Sequence, residues 1–188
     1  MHRAALAVVA LAAFTACNRA SSDSGSASAS STGASASAPA DGLLAVGAAA
    51  PDIEATAQDG ENVKLADLEG KPVVVYFYPK DDTPGCTAEA QGIRDQWESL
   101  KQTGAVVIGV STDDADSHKA FAQKHSLPFL LLPDPKGDIA KAFGVPLTLG
   151  HAKRVTFVID KQGKIAKVFP SVAPKGHAEE LLAALRAL

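Results

Sequence analysis

The stretch Tyr76–Asp95, YFYPKDDTPGCTAEAQGIRD, decides how this chain folds, because it joins a strand signal to a helix signal through one short polar turn. The strand is Val73 to Phe77, a continuous β-branched and aromatic run without alternation, which is the pattern of a strand buried on both faces. Pro79 closes that run. Thr83 then stands as a helix N-cap with Pro84 at the first helical position, so Cys86 falls in the first helical turn. Unpaired backbone N–H groups and the positive end of the helix dipole there favour a thiolate over a thiol. Cys86, Ala90, Ile93, Trp97 and Leu100 follow one another at spacings of four and three and share one face of a helix expected to stop near Gly104. The sulfur is therefore expected to point into the body of the domain, in a pocket whose mouth is the preceding loop.

Working outward, Val106 to Val110 is a second continuous run, so strand, helix and strand predict a right-handed parallel crossover. Ser111 to Asp116 offers N-cap candidates for a helix running to about His125, and Phe129 to Leu132 resembles a short strand. A turn at Pro133 to Gly137, a short helix ending at Gly144 and a loop with Pro146 and Gly150 lead to Arg154. Val155 to Ile159, a turn at Asp160 to Gly163 and Lys164 to Phe169 read as a hairpin, and a last helix carries Leu181, Leu182, Leu185 and Leu188 on one face. On the N-terminal side, Ile53 to Ala57 and Asn62 to Leu65 flank Asp59-Gly60 as a smaller hairpin. A parallel crossover followed by an antiparallel hairpin and a closing helix predicts an α/β, three-layer, thioredoxin-like domain over 43–188 with an N-terminal β-hairpin extension.

The 188 residues, 46% hydrophobic and 21% charged, suit one globular domain. A net charge of -3 without a Lys/Arg cluster excludes an electrostatic footprint for nucleic acid. Cys17 and Cys86 lack His/Cys partners at metal-ligand spacing, so no metal or other cofactor is implied. The histidines at 2, 118, 125, 151 and 177 are expected on the surface or in loops, and the acidic cluster at 113–116 is expected to cap a helix. The first residues form a basic start and an apolar run, Ala4 to Phe14, too short to span a bilayer as a mature helix, which predicts a signal peptide over 1–16. Thr15 and Ala16 before Cys17 resemble a bacterial lipobox with Phe14 where leucine is usual, which implies lipidation at Cys17 and attachment in the cell envelope, on the periplasmic side of a membrane. Ala20 to Ala40 is almost wholly Ser, Ala, Gly and Thr, so 17–42 is expected to be a disordered tether with an end-to-end distance of roughly 25 Å.

Pro79, Thr83 and Cys86 carry the spacing of the peroxiredoxin signature, and the longer string FYPKDDTPGCTAEA is similar to the bacterioferritin comigratory protein or peroxiredoxin Q branch. The resemblance extends from about Leu43 to the C-terminus. It implies a thiol-dependent peroxidase that reduces hydrogen peroxide and organic hydroperoxides through a cysteine sulfenic acid, with Cys86 as the nucleophile. Thr83 is then expected to face the sulfur or the peroxide, Pro79 to close one pocket wall, Arg154 to lie beside the thiolate and Glu89 to orient that arginine. Many relatives carry a resolving cysteine five residues after the first, where this chain has Gln91, so an external thiol is expected as reductant, either a thioredoxin-like protein or a small thiol. A monomer is expected. A dithiol reductase is excluded because Thr83 and Glu89 occupy the two positions where a Cys-x-x-Cys partner could sit. The alternative is a non-enzymatic thioredoxin-fold lipoprotein or redox-sensing binding module, since a fold alone permits either.

Overall fold

The computed structural model describes residues 42–188; the expected leader, Cys17 and the tether up to residue 41 lie outside the described residues. The described chain opens with a small antiparallel hairpin of β1 (Glu54–Thr56) and β2 (Asn62–Lys64), each slightly shorter than its sequence signal, and a 3-10 turn at Leu65–Leu68 follows. Next come β3 (Val73–Phe77), α1 (Pro84–Asp95), α2 (Trp97–Gln102), β4 (Val106–Ser111), α3 (Ala115–His125), β5 (Leu130–Pro133) and α4 (Asp138–Ala142). A two-residue hairpin, β6 (Leu147–Thr148) with β7 (His151–Ala152), sits where the sequence predicts only loop. The chain closes with β8 (Val155–Ile159), β9 (Ile165–Phe169) and α5 (His177–Leu185).

The central sheet has the order β5-β4-β3-β8-β9. β4 pairs parallel with both β3 and β5, whereas β8 pairs antiparallel with both β3 and β9, so the crossover and the hairpin predicted from the sequence share one mixed sheet. Every residue of β3 is buried. Its side chains alternate between two cores: Val73, Val75 and Phe77 pack with Phe143, just past α4, and with Ile53 and Val63 around the small hairpin, while Val74 and Tyr76 pack with Ile93, Phe121 and Leu181 from α1, α3 and α5. Each such fully buried side chain stabilises the fold by about 1.5–3 kcal/mol. This is the three-layer α/β arrangement of the thioredoxin-like fold.

The helix after Cys86 is not continuous. Gln96 leaves helical geometry (φ -96°, ψ 10°) and divides it into α1 and α2, and the chain then turns out at Gly104, whose φ of +76° suits a residue without Cβ. The predicted face survives the break, with Cys86, Ala90, Ile93 and Leu100 buried and Trp97 half-buried against the same core. In the last helix Leu181, Leu182 and Leu185 are buried, but Leu188 lies past its end and is exposed. Gly109 of β4 makes room for Tyr76: a Cβ there would stand 2.7 Å from that ring and from Leu131.

Candidate active site

Cys86 is the third residue of α1, past the C-terminal end of the central strand β3. Thr83 precedes the helix with extended backbone (φ -78°, ψ 147°), the N-cap position the sequence predicts. Its hydroxyl does not cap an amide, however; it donates to the Lys80 carbonyl at 3.0 Å within the loop, which leaves the oxygen's lone pairs free to accept. Pro79 is half-buried after the end of β3.

Cys86 is 2% exposed, and the Arg154 side chain that reaches its sulfur is 15% exposed. Arg154 stands one residue before β8, and the antiparallel register Phe77↔Val155 brings it to the end of β3 from which the cysteine loop departs. Its Nη2 donates to Cys86 Sγ at 3.1 Å, and its Nη1 donates to Glu89 Oε2. Glu89, one helical turn after Cys86, is buried, and its Oε1 has no partner. Burial pushes the Glu89 carboxyl up to about 7, against the lowering pull of the Arg154 charge and hydrogen bond. For Arg154 burial alone acts downward, and the Glu89 charge followed by the Cys86 contact outweighs it and raises the guanidinium above its ordinary value. The guanidinium therefore stays charged and is held in a fixed orientation by the carboxylate, with one fork edge turned to the sulfur. That arrangement stabilises negative charge on sulfur and on an oxygen brought against it.

Gln91 lies on the side of α1 away from this centre and contacts His125 Nδ1 at 3.2 Å, while His125 Nε2 contacts Asp82 Oδ1 at 2.8 Å. The sequence placed the histidines on the surface or in loops, and two of them are not there. His118 and His177 are both buried, His118 against Asp81 and His177 against Thr156 Oγ1 at 2.9 Å. Burial, and to a smaller degree the Arg154 charge, lowers His177, against the opposing pull of Glu180. For His118 a signal was present: it shares the inward face of α3 with Phe121 and Ala122 at spacings of three and four. In the acidic cluster Asp114 does cap α3, accepting from Ser117 N at 2.9 Å, but Asp113 instead accepts from Asp81 N at 2.9 Å. Among the described residues no group of three or more His, Cys, Asp and Glu is placed to hold a metal ion.

This chain is similar to known proteins, some of them along nearly their whole length. The AhpC/TSA family matches residues 46–168. A putative peroxiredoxin Bcp of Coxiella burnetii is 42% identical over 149 residues, covering 76% of this chain and 99% of the relative. The peroxiredoxin Bcp of Bacillus subtilis is 46% identical over 150 residues, covering 76% and 96%. A structure of the Xanthomonas campestris bacterioferritin comigratory protein, concerned with its alkyl peroxide reduction activity, superposes with a TM-score of 0.71 at 32% identity, covering 78% of this chain and 98% of that one. The fold and the buried, arginine-bound cysteine define a thiol peroxidase, and the chain belongs to the AhpC/TSA family of peroxiredoxins, in its Bcp/peroxiredoxin Q subfamily.

The raised Glu89 carboxyl sets a pH dependence of stability. Between pH 4.5 and about 7 the native carboxyl holds a proton that the unfolded chain has released, so the stability it contributes is complete below pH 4.5 and is lost as pH rises through about 7. The parent is expected to lose stability relative to Glu89→Gln across that window, read as urea midpoints at pH 4 and pH 8. Midpoints that move in parallel for the two proteins would show that Glu89 titrates normally.

Proposed function

We propose that this peroxiredoxin reduces hydrogen peroxide and organic hydroperoxides at Cys86 in a cycle that uses no second cysteine of its own. The observation that carries the proposal is the Arg154 guanidinium, 3.1 Å from a buried sulfur at a helix N-terminus and held from behind by Glu89. The thiolate attacks the terminal peroxide oxygen; the S–O bond forms as the O–O bond breaks, sulfur is oxidised to the sulfenic acid, and the leaving oxygen takes a proton to depart as water or an alcohol. Arg154 stabilises the negative charge that passes from sulfur to the leaving oxygen. Thr83, with lone pairs free, accepts the peroxide O–H and aims its terminal oxygen, and Pro79 closes a wall of the pocket. The alkyl peroxide activity of the Xanthomonas campestris relative supports organic hydroperoxides as a second substrate class.

With Gln91 in the place of a resolving cysteine, an external thiol attacks the sulfenic acid, releases water and forms a mixed disulfide; a second thiol restores Cys86. The net conversion is one hydroperoxide and two thiols to alcohol, water and one disulfide. One equivalent of peroxide is therefore expected to leave a dimedone-reactive Cys86 with no intramolecular disulfide, and excess peroxide without thiol to carry it to sulfinic acid. Mass spectrometry of the Cys86 peptide reads both, and a free thiol throughout would end the peroxidase assignment.

Arg154→Met is expected to slow peroxide reduction by about a hundredfold, since removing one preorganised donor of this kind costs roughly that much. Arg154→Lys is expected to recover only part, because lysine keeps the charge without the planar fork. Single-turnover rates check both, and a methionine variant as fast as the parent would remove Arg154 from the chemistry.

We further propose that the domain acts in the cell envelope, tethered by a lipid on Cys17. The short apolar leader, the small residues before Cys17 and the Ser/Ala-rich segment support this. Intact-mass analysis of membrane fractions is expected to show loss of residues 1–16 and added acyl chains, and an unmodified Cys17 in the mature protein would refute it.

A further inference from the structure

The loop that presents Thr83 to the site is held from behind by a polar cluster that the peroxide chemistry does not use. Asp81, two residues before Thr83, is a buried carboxylate with three side-chain donors. Tyr78 Oη–H donates to Oδ1 at 2.8 Å, and Ser117 Oγ–H and His118 Nδ1 both reach Oδ2 at 2.8 Å. The Asp81 backbone N–H donates to Asp113 Oδ2 at 2.9 Å. Burial first, then the charges of its neighbours, holds the Tyr78 phenol well above its ordinary value, so it remains an O–H donor.

His118 is the telling member. It is 0% exposed, and because a carboxylate only accepts, Nδ1 carries the proton of its bond to Asp81. Its Nε2 is buried with no partner. A purely apolar side chain would fill that part of the core without orphaning a nitrogen, so the polar service His118 performs is given through Nδ1, by the 2.8 Å bond to Asp81 and a longer 3.4 Å contact with Tyr78 Oη.

We propose that His118, with Tyr78, is a positioning residue for peroxide reduction: through Asp81 it fixes the Pro79–Thr83 loop on α3 and so holds Thr83 and the first turn of α1 in the geometry the reaction at Cys86 requires. The adjacent Asp82, at a left-handed φ of +57°, bonds outward to Lys124 Nζ at 2.9 Å and to His125, so two consecutive acidic residues fasten the loop to one helix. A reacting pair displaced by about 1 Å loses on the order of a hundredfold in rate, so such anchoring matters even though none of these groups touches the sulfur.

The inference rests on Cys86 as the peroxide-reactive thiol, and the test separates the two. In the full chain, His118→Leu keeps the apolar bulk and removes the bond, whereas His118→Asn keeps a donor near the place of Nδ1 and loses bulk. The leucine variant is expected to melt close to the parent yet react with hydrogen peroxide about tenfold more slowly or worse. The asparagine variant is expected to melt lower yet react within about threefold of the parent, because one hydrogen bond's geometry is kept. Tyr78→Phe, which deletes only the hydroxyl, is expected to slow the reaction in the same direction as leucine. Amide exchange over residues 79–86 is expected to quicken in the leucine variant and not in the asparagine one. Rates that simply follow melting temperature, or exchange unchanged by leucine, would overturn the clasp. A parent Cys86 inert to peroxide would strike the peroxidase reading instead, with the exchange measurement still deciding the clasp.

Discussion

One guanidinium ties the site together. Arg154 meets Glu89 and Cys86 across sequence separations of 65 and 68 residues, so its contacts exist only when the sheet has closed in the right register. The antiparallel pairing of β3 with β8, Phe77 opposite Val155, supplies that register. A slip by one residue would turn every β8 side chain to the opposite face and carry Arg154 away from α1. The continuous burial of both strands resists such a slip, since either face would then lose packed hydrophobic contacts.

The pair of Arg154 and Glu89 is itself a costly arrangement, placing a carboxylate with one unpartnered oxygen inside the protein. Its value lies in orientation rather than in stability. A guanidinium at the end of a strand has many rotamers, and a buried carboxylate one turn along the same helix as the cysteine selects the one that faces the sulfur. The helix N-terminus and the arginine then act on the sulfur from two directions, and burial shields both from water.

The loop between β3 and α1 shows the same economy. It must break the strand, present Thr83 and start a helix within a few residues, and it includes a left-handed non-glycine residue at Asp82. Polar bonds from α3 and from the loop after β4 hold it there, so the second crossover of the sheet is also the support of the site. Packing and positioning are supplied by the same helix, whose inward face carries both Phe121 and His118.

The sequence by itself determined the elements whose signals are local. The unbroken apolar runs of β3 and β4, the Thr83-Pro84 start of α1 and the spacing of Cys86, Ala90 and Ile93 each depend on near neighbours and specify strand, crossover and an inward sulfur. Cys86, Thr83, Glu89 and Arg154 were singled out through the resemblance of their motif, but their contacts were not legible, because no local pattern states that an arginine before one strand will lie 3.1 Å from a sulfur on a distant helix. Only the tertiary structure decided the break at Gln96, the β6–β7 hairpin, the turning of the Thr83 hydroxyl to Lys80 and the burial of His118 and His177. Each of these balances a weak local preference against a partner far away in the chain, and a histidine on a half-apolar helix face is read as buried only once the carboxylate that receives its proton is in view.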